Sequence, residues 1–309
     1  MRYTLDEIET FLAVIELGTL TAAAARLNIA KSVVSKRVSD LERALGAALF
    51  RRQAGRITPT EAADRLAERL RPALAALTAA TESAAWEMDG SIPLRGMLKI
   101  SAPMTFGTQH LSALIARFAA RHPELEFRID YDDRYHDLAQ EGYDLGLRIG
   151  EVQDSALIRR KLCDDRMMVC ASPAYLAARG MPEAPGDLAD HGCIGYAHMA
   201  NARFWQFSEG GRTLTPVTRT RLTVNNGEAM RELAAGGLGI AMLPGFIAQP
   251  AIDRGALVPL LSGWGTRTLP IAAVWPPIRP VPAKLRAFVD FLAGELKDGA
   301  PWRPAGAAR

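Results

Sequence analysis

Cysteine is scarce in this sequence: Cys163, Cys170 and Cys193 are all it has in 309 residues. They form an odd set, with no CxxC pair and no histidines at zinc-ligand spacing, so neither a disulfide framework nor a structural metal is expected. Cys163 and Cys170 lie seven apart in one extended-looking stretch, which would point them to opposite faces. Small buried hydrophobes are the preferred reading for all three, with a redox sensor as the alternative. No run of 18 or more apolar residues occurs, so no membrane-spanning helix is expected. The opening MRYTLDEIETF reads as an acidic amphipathic helix rather than a secretion signal, which makes the cytoplasm the expected location. His110, His122, His136, His191 and His198 are present, but HExxH, GxSxG and the P-loop are missing. No catalytic residue, metal ligand or cofactor is therefore nominated, and an enzyme is not expected.

What is present is ordinary in bulk and uneven in distribution. Residues are 49 % hydrophobic and 23 % charged, normal for a globular protein, and the length suggests about two domains. The net charge is only +3. Residues 26–56 carry eight Lys/Arg (Arg26, Lys31, Lys36, Arg37, Arg43, Arg51, Arg52, Arg56) against Asp40 and Glu42, or +6. The basic excess is thus gathered in one place, the footprint of a phosphate-binding surface.

That place has a recognisable local grammar. Residues 5–17 form a helix with an apolar stripe (Leu5, Ile8, Phe11 or Leu12, Ile15), closed by Gly18. Residues 21–27 are a short alanine-rich helix with Thr21 as its N-cap. After a break at Asn28 and Ile29, a helix over 31–45 lines up Val34, Val38, Leu41 and Leu45. Its remaining surface carries Lys31, Ser32, Ser35, Lys36, Ser39 and Arg43, side chains suited to base edges and phosphates. Residues 50–59 then predict a two-stranded wing turning at Ala54-Gly55, with Arg51, Arg52 and Arg56 placed for DNA backbone or minor groove. Thr21, Lys31, Ser32, Ser35, Lys36, Arg37, Arg51, Arg52 and Arg56 are the candidate DNA-binding residues.

Residues 60–88 read as one long helix of roughly 40 Å, started after Pro59 and striped by Leu66, Leu70, Leu74, Leu77, Ala84 and Met88. A seam of that length predicts a partner helix from a second copy, and two recognition helices imply an operator with inverted-repeat symmetry. A Pro/Gly hinge follows at 90–95. Strands and helices then alternate: a strand near 97–103, a helix over 107–121, strands at 125–131 and 145–149 with a short helix at 135–140 between them, and a long extended stretch at 157–172. Beyond it come a strand at 193–196, a Trp205-centred hairpin turning at Gly210-Gly211, a strand at 221–224, a helix at 228–235, a strand at 239–243, a last strand at 268–275 and a helix at 282–296. The Pro/Ala/Gly-rich tail after Asp298 reads as disordered.

Phe11-Leu12-Ala13-Val14, Gly18-Thr19-Leu20-Thr21-Ala22-Ala23-Ala24, Val34-Ser35, Leu49-Phe50-Arg51-Arg52 and Thr60-Glu61-Ala62 together resemble the N-terminal domain of LysR-type transcriptional regulators. Ala30 departs from the pattern, standing where that family has a capping Ser. Ser101-Ala102-Pro103, Gly142-Tyr143-Asp144-Leu145, Cys170-Ala171-Ser172-Pro173, Asn226-Gly227-Glu228 and residues 236–244 resemble its effector domain, in the subgroup typified by CrgA. The resemblance implies a winged helix-turn-helix (1–59), a linker helix for dimerisation (60–89) and a type 2 periplasmic-binding-protein fold (90–298) with two α/β subdomains (95–163 with 270–298, and 164–269), before a flexible tail (299–309). Two crossovers would lie near 163–169 and 269–274. It further implies double-stranded DNA, a small effector and RNA polymerase, if the protein activates, as partners, and a dimer or dimer of dimers.

Ligands in such sheets bind beyond the carboxyl ends of strands. The first strand ends at Ser101, and the helix start after it, with Pro103, Met104, Thr105 and Phe106, would offer backbone N–H groups to an anion. Arg148 could clasp a carboxylate. Tyr196, Phe204, Trp205 and Asn225 complete the candidate effector-binding set. A solute-binding protein without a regulatory role is the alternative for this half of the chain.

Overall fold

The computed structural model describes residues 3–53, 56–88, 93–151, 156–198, 204–297 and 302. Two compact units emerge, 1–90 with 279–282, and 91–278 with 283–309.

In the first unit, helix α1 (Leu5–Leu17) starts at a capping box in which Thr4 and Glu7 satisfy each other's backbone N–H, and it stops at left-handed Gly18 (φ 68°). Helix α2 (Leu20–Leu27) is capped by Thr19 and not by Thr21: the Thr19 hydroxyl accepts from the Ala22 N–H at 3.1 Å. Thr19 is extended, as a cap must be, whereas Thr21 already lies inside the helix. Helix α3 (Lys31–Leu45) begins at Ala30 with no side-chain cap. Its Val34, Val38 and Leu41 are buried with Phe11, Val14, Ala23 and Leu49, while Leu45, expected on that stripe, is exposed. Strands β1 (Phe50–Gln53) and β2 (Arg56–Pro59) pair antiparallel as a wing. The expected turn at 54–55 and the side chains of Arg52 and Arg56 lie outside the described residues.

Helix α4 (Glu61–Met88) is capped by Thr60, whose hydroxyl accepts from the Ala63 N–H at 3.2 Å. Its leucine seam divides. Leu66, Leu70 and Leu74 pack on the core of their own domain, whereas Leu77 is 48 % exposed. The side chains of Ala84 and Met88 lie outside the described residues. Pro72 sits within the helix, where it removes one backbone donor.

The second unit runs β3 (Gly96–Ala102), α5 (Met104–Phe106), a π turn (Gly107–Leu111), α6 (Ser112–Arg121), β4 (Leu125–Tyr131), β5 (Leu145–Ile149), β6 (Ile158–Ala171), α7 (Pro173–Arg179), a 3-10 turn (Pro185–Asp190), β7 (Gly192–Tyr196), β8 (Phe207–Glu209) and β9 (Arg212–Leu214). It continues through β10 (Arg219–Val224), α8 (Gly227–Ala235), β11 (Ile240–Pro244), α9 (Gly245–Asp253), β12 (Val258–Leu260), β13 (Gly265–Thr266), β14 (Thr268–Trp275) and α10 (Ala283–Leu296). One sheet has the order β10-β7-β11-β6-β14-β5-β3-β4, with β12 also on β6. Neighbours are parallel toward either end, as α/β units dictate (β3 with β4 and β5; β7 with β10 and β11). The two halves meet through antiparallel β6 and β14. Up to Arg166, β6 pairs with β14; from Met167 onward it pairs with β11 and β12.

Four sequence expectations give way here. The helix expected over 107–121 begins at Met104 and contains the π turn. Residues 135–137 are irregular and 138–140 a turn, because the Asp137 carboxylate takes the Ala139 and Gln140 N–H groups that a helix would use. The hairpin is β8–β9, turning at Gly210-Gly211 with positive φ at both, and Trp205 precedes it as a core residue. The tail is not featureless, since Trp302 is buried.

Candidate functional site

Helix α3 turns its apolar side to the core and leaves Lys31, Ser32 and Lys36 exposed, with Ser35 half-buried beside them. Val33 shares this outward surface at 38 % exposure and was missed by pattern reading, which counts apolar residues as core. Arg37 does not join them. It forms an ion pair with Asp6 of α1, and its Nη1 donates to Thr10 Oγ1 at 3.4 Å, so it anchors α3 to α1. Arg26 and Arg43 are likewise engaged, with Glu16 at 2.5 Å and Asp40 at 2.7 Å. The Glu42 carboxylate accepts the Leu49 and Phe50 N–H groups at 2.8 and 3.1 Å and so starts the wing. Thr21 and Arg51 are exposed.

In the second unit the strand ends place Ser101 (β3) beside Arg148 (β5). Arg148 is 6 % exposed and all its hydrogen bonds among the described residues go to neutral oxygens: Ser101 Oγ at 3.3 Å, Leu147 O at 2.9 Å and His136 O at 3.4 Å. Its Nε has no partner there, and the guanidinium lies over the Tyr135 ring at 5.2 Å. Burial lowers its pKa from the ordinary value, against the raising influence of Tyr135, Tyr143 and the Glu141 carboxylate. Gly146 makes room, since a Cβ there would sit 2.9 Å from Leu138 and 3.2 Å from the guanidinium carbon.

The helix start after β3 differs from expectation. The Met104 N–H already donates to Asp133 Oδ1 at 2.9 Å, so a carboxylate of the chain itself holds the place expected for an anion. An anionic ligand there would meet like charge. Tyr196, at the end of β7, also bonds Asp133, and burial followed by the negative charges of Asp133 and Asp132 raises its pKa. Pro103 is the residue before the helix, and Met104 is 38 % exposed. Thr105 is buried, and its hydroxyl has no partner among the described residues. Phe106 is fully buried among His110, Phe246 and Trp302.

Asn225 is exposed immediately beyond β10, whose Val224 pairs with Tyr196. Phe204 is exposed and bridges to Val217, while Trp205 lies in a core with Val169, Phe207 and Ile240; neither is placed beside Arg148 or Ser101 by any contact among the described residues. Asp133, Tyr135 and His136 were missed. They come from a turn with no periodicity, and only a fold brings them to the strand ends. Burial pushes the Cys170 and Cys193 thiols up to about 12, far from the thiolate that redox chemistry requires, while Cys163 is half-buried.

Residues 5–64 match the family model described as a bacterial regulatory helix-turn-helix protein, lysR family, and residues 92–297 match the LysR substrate binding domain. The transcriptional regulator PtxR of Pseudomonas aeruginosa is 35 % identical, over 94 % of this chain and 93 % of its own. CrgA of Neisseria meningitidis serogroup C is 33 % identical, over 96 % and 98 %. Its solved structure superposes with a TM-score of 0.60 at 32 % identity, covering 95 % of this chain and 99 % of that one. The full-length Vibrio cholerae virulence activator AphB gives 0.58 at 27 % identity, covering 94 % and 99 %.

Proposed function

We infer the residue-level picture from one premise: this chain belongs to the LysR family of transcriptional regulators, which bind DNA through the helix-turn-helix and a small effector through the C-terminal domain. Lys31, Ser32, Val33, Ser35 and Lys36 of α3 enter the major groove. Thr21, Arg51, Arg52 and Arg56 meet the phosphates and the minor groove alongside. Arg37 is withdrawn from this set, because α1 already holds it. The α4 helices of two copies pair along the stretch that begins at Leu77, which is exposed. The copies read an inverted repeat as a dimer or a dimer of dimers, in the cytoplasm, and contact RNA polymerase where the protein activates. A transport-type solute binder would have no use for the first unit.

The effector is a small anion, and the single observation that supports this is Arg148: a buried guanidinium whose hydrogen bonds among the described residues reach only neutral oxygens. A carboxylate placed against its Nε side would supply the missing charge, with the hydroxyls of Ser101 and Thr105, Tyr196 and Asn225 setting what else fits. An anion that binds one setting of the two halves better than another shifts that equilibrium and, through the oligomer, the spacing of the α3 helices. The test is a gel shift on operator DNA recovered with the purified protein, run with and without panels of small carboxylates. A carboxylate that shifts DNA affinity in the wild type and not in Arg148→Met supports the reading; a response retained by that variant refutes it.

A further inference from the structure

Trp302 belongs to neither the DNA-binding nor the effector-binding set. It is 7 % exposed although it lies beyond the last helix, in a segment whose composition predicts no structure. Its ring sits 4.4 Å from His110 and meets Phe106 and Phe246 edge-on at 5.7 and 5.8 Å. Its indole N–H donates to Asp165 Oδ1 at 3.0 Å. Phe106 and His110 belong to α5 and the π turn, on the β3 side of the sheet; Phe246 opens α9, on the β11 side; Asp165 lies on β6 near the point where the strand changes partners. The same indole therefore touches both halves of the effector domain and the strand they share.

The pocket is built for this occupant. Asp165 is buried, and its other oxygen accepts the Phe246 N–H at 3.3 Å, at the start of α9. Gly245 permits that approach, since a Cβ there would stand 2.7 Å from Asp165 Oδ1. Asp165 forms no ion pair among the described residues, and burial raises its pKa. A buried carboxylate of this kind needs neutral donors, and the indole N–H is one. The walls are flat aromatic faces at edge-on distances, which favour a planar ring.

We propose that the junction of β6, α5 and α9 is a binding site for a planar aromatic N–H group, and that Trp302 fills it as a tethered ligand, clasping the two halves of the effector domain. No contact among the described residues links this site to Arg148, although Phe106, nominated for the effector, forms one of its walls. Tethering raises the local concentration of the indole to the order of millimolar, so a free aromatic competes poorly with it. Once Trp302 is removed, the pocket becomes available to indole from solution.

The test is a thermal melt of the full chain, as wild type, Trp302→Gly and Trp302→Phe, each with and without indole. Trp302→Gly lowers the midpoint of the effector domain by roughly 6–15 °C, as loss of a large buried aromatic does. Indole at about ten times its dissociation constant returns about 3–6 °C to that variant and leaves the wild type unmoved. Trp302→Phe keeps the ring, loses the donor to Asp165 and melts between the two; it carries the test if the glycine variant does not fold. Wild-type melting in both variants, or an indole shift equal in the wild type and the glycine variant, overturns the proposal. So does a phenylalanine variant indistinguishable from wild type, since the pocket would then not select an N–H.

Discussion

Replacing Arg148 by methionine separates a structural arginine from one held ready for a ligand. Methionine approximates the length of the side chain and carries no charge. The change forfeits the hydrogen bonds to Ser101 Oγ at 3.3 Å, Leu147 O at 2.9 Å and His136 O at 3.4 Å, contacts of about 1.5–3 kcal/mol each for a charged donor at good geometry and less at the two longer distances. It also ends the burial of a cation that is 6 % exposed with an unpartnered Nε. Exchanging buried ionic groups for apolar ones of similar volume is often neutral or stabilising by about 1–4 kcal/mol. The two effects are of similar size and opposite sign, so the variant is expected to stay within about 2 kcal/mol of wild type. Urea unfolding of both proteins without ligand reads this directly, with the slope checked to confirm that the transition itself is unchanged. Calorimetric titration with the active carboxylate should then show binding to wild type alone. A loss of more than about 2 kcal/mol in the unliganded variant would refute the reasoning, because it would mean that the chain already compensates the charge.

Three further outcomes follow from particular residues. Ala30→Ser gives α3 the side-chain cap it lacks and should add about 1 kcal/mol to the stability of the first unit, measured by chemical denaturation. Val33→Ala removes an apolar contact that suits a thymine methyl. It should weaken operator binding by about tenfold at most and leave the salt dependence unchanged, because no phosphate contact is lost; a gel shift at several salt concentrations reads both. His110 has its pKa held below 6.5 by burial, so the unfolded chain takes up the proton first. Its stabilising contribution is complete above pH 6.5 and is lost as pH falls from there through the lower folded value, and His110→Gln should flatten the melting temperature measured across that interval.

The local half of this structure is legible in the chain. Gly18 and Gly46 stop helices as left-handed caps, and the four-three spacing of Val34, Val38 and Leu41 fixes which side of α3 is buried. The same logic misplaced one cap, because Thr19 and Thr21 are equally good on composition and only the backbone conformation separates them. What stayed hidden depends on partners distant in sequence. Asp133 occupies the start of α5 from 29 residues away, and Trp302 reaches Asp165 across 137. Trp205 reads as a cleft aromatic until its neighbours Val169 and Ile240 are known to enclose it. Arg148 could be nominated from its place at a strand end, but that it forms no ion pair among the described residues could not.

Strand β6 is common property of both halves of the effector domain, and this restricts how they can move. Sliding one half along the strand by a single residue would turn every side chain of the ladder to the wrong face, so translation is blocked in steps that cost the whole core. Twisting about the strand axis breaks no register. The irregularity opposite Leu162, where the pairing with β14 skips a residue, is the compliant point of that axle. A torsion about the paired β6 and β14 is accordingly the movement that this register permits between the two halves.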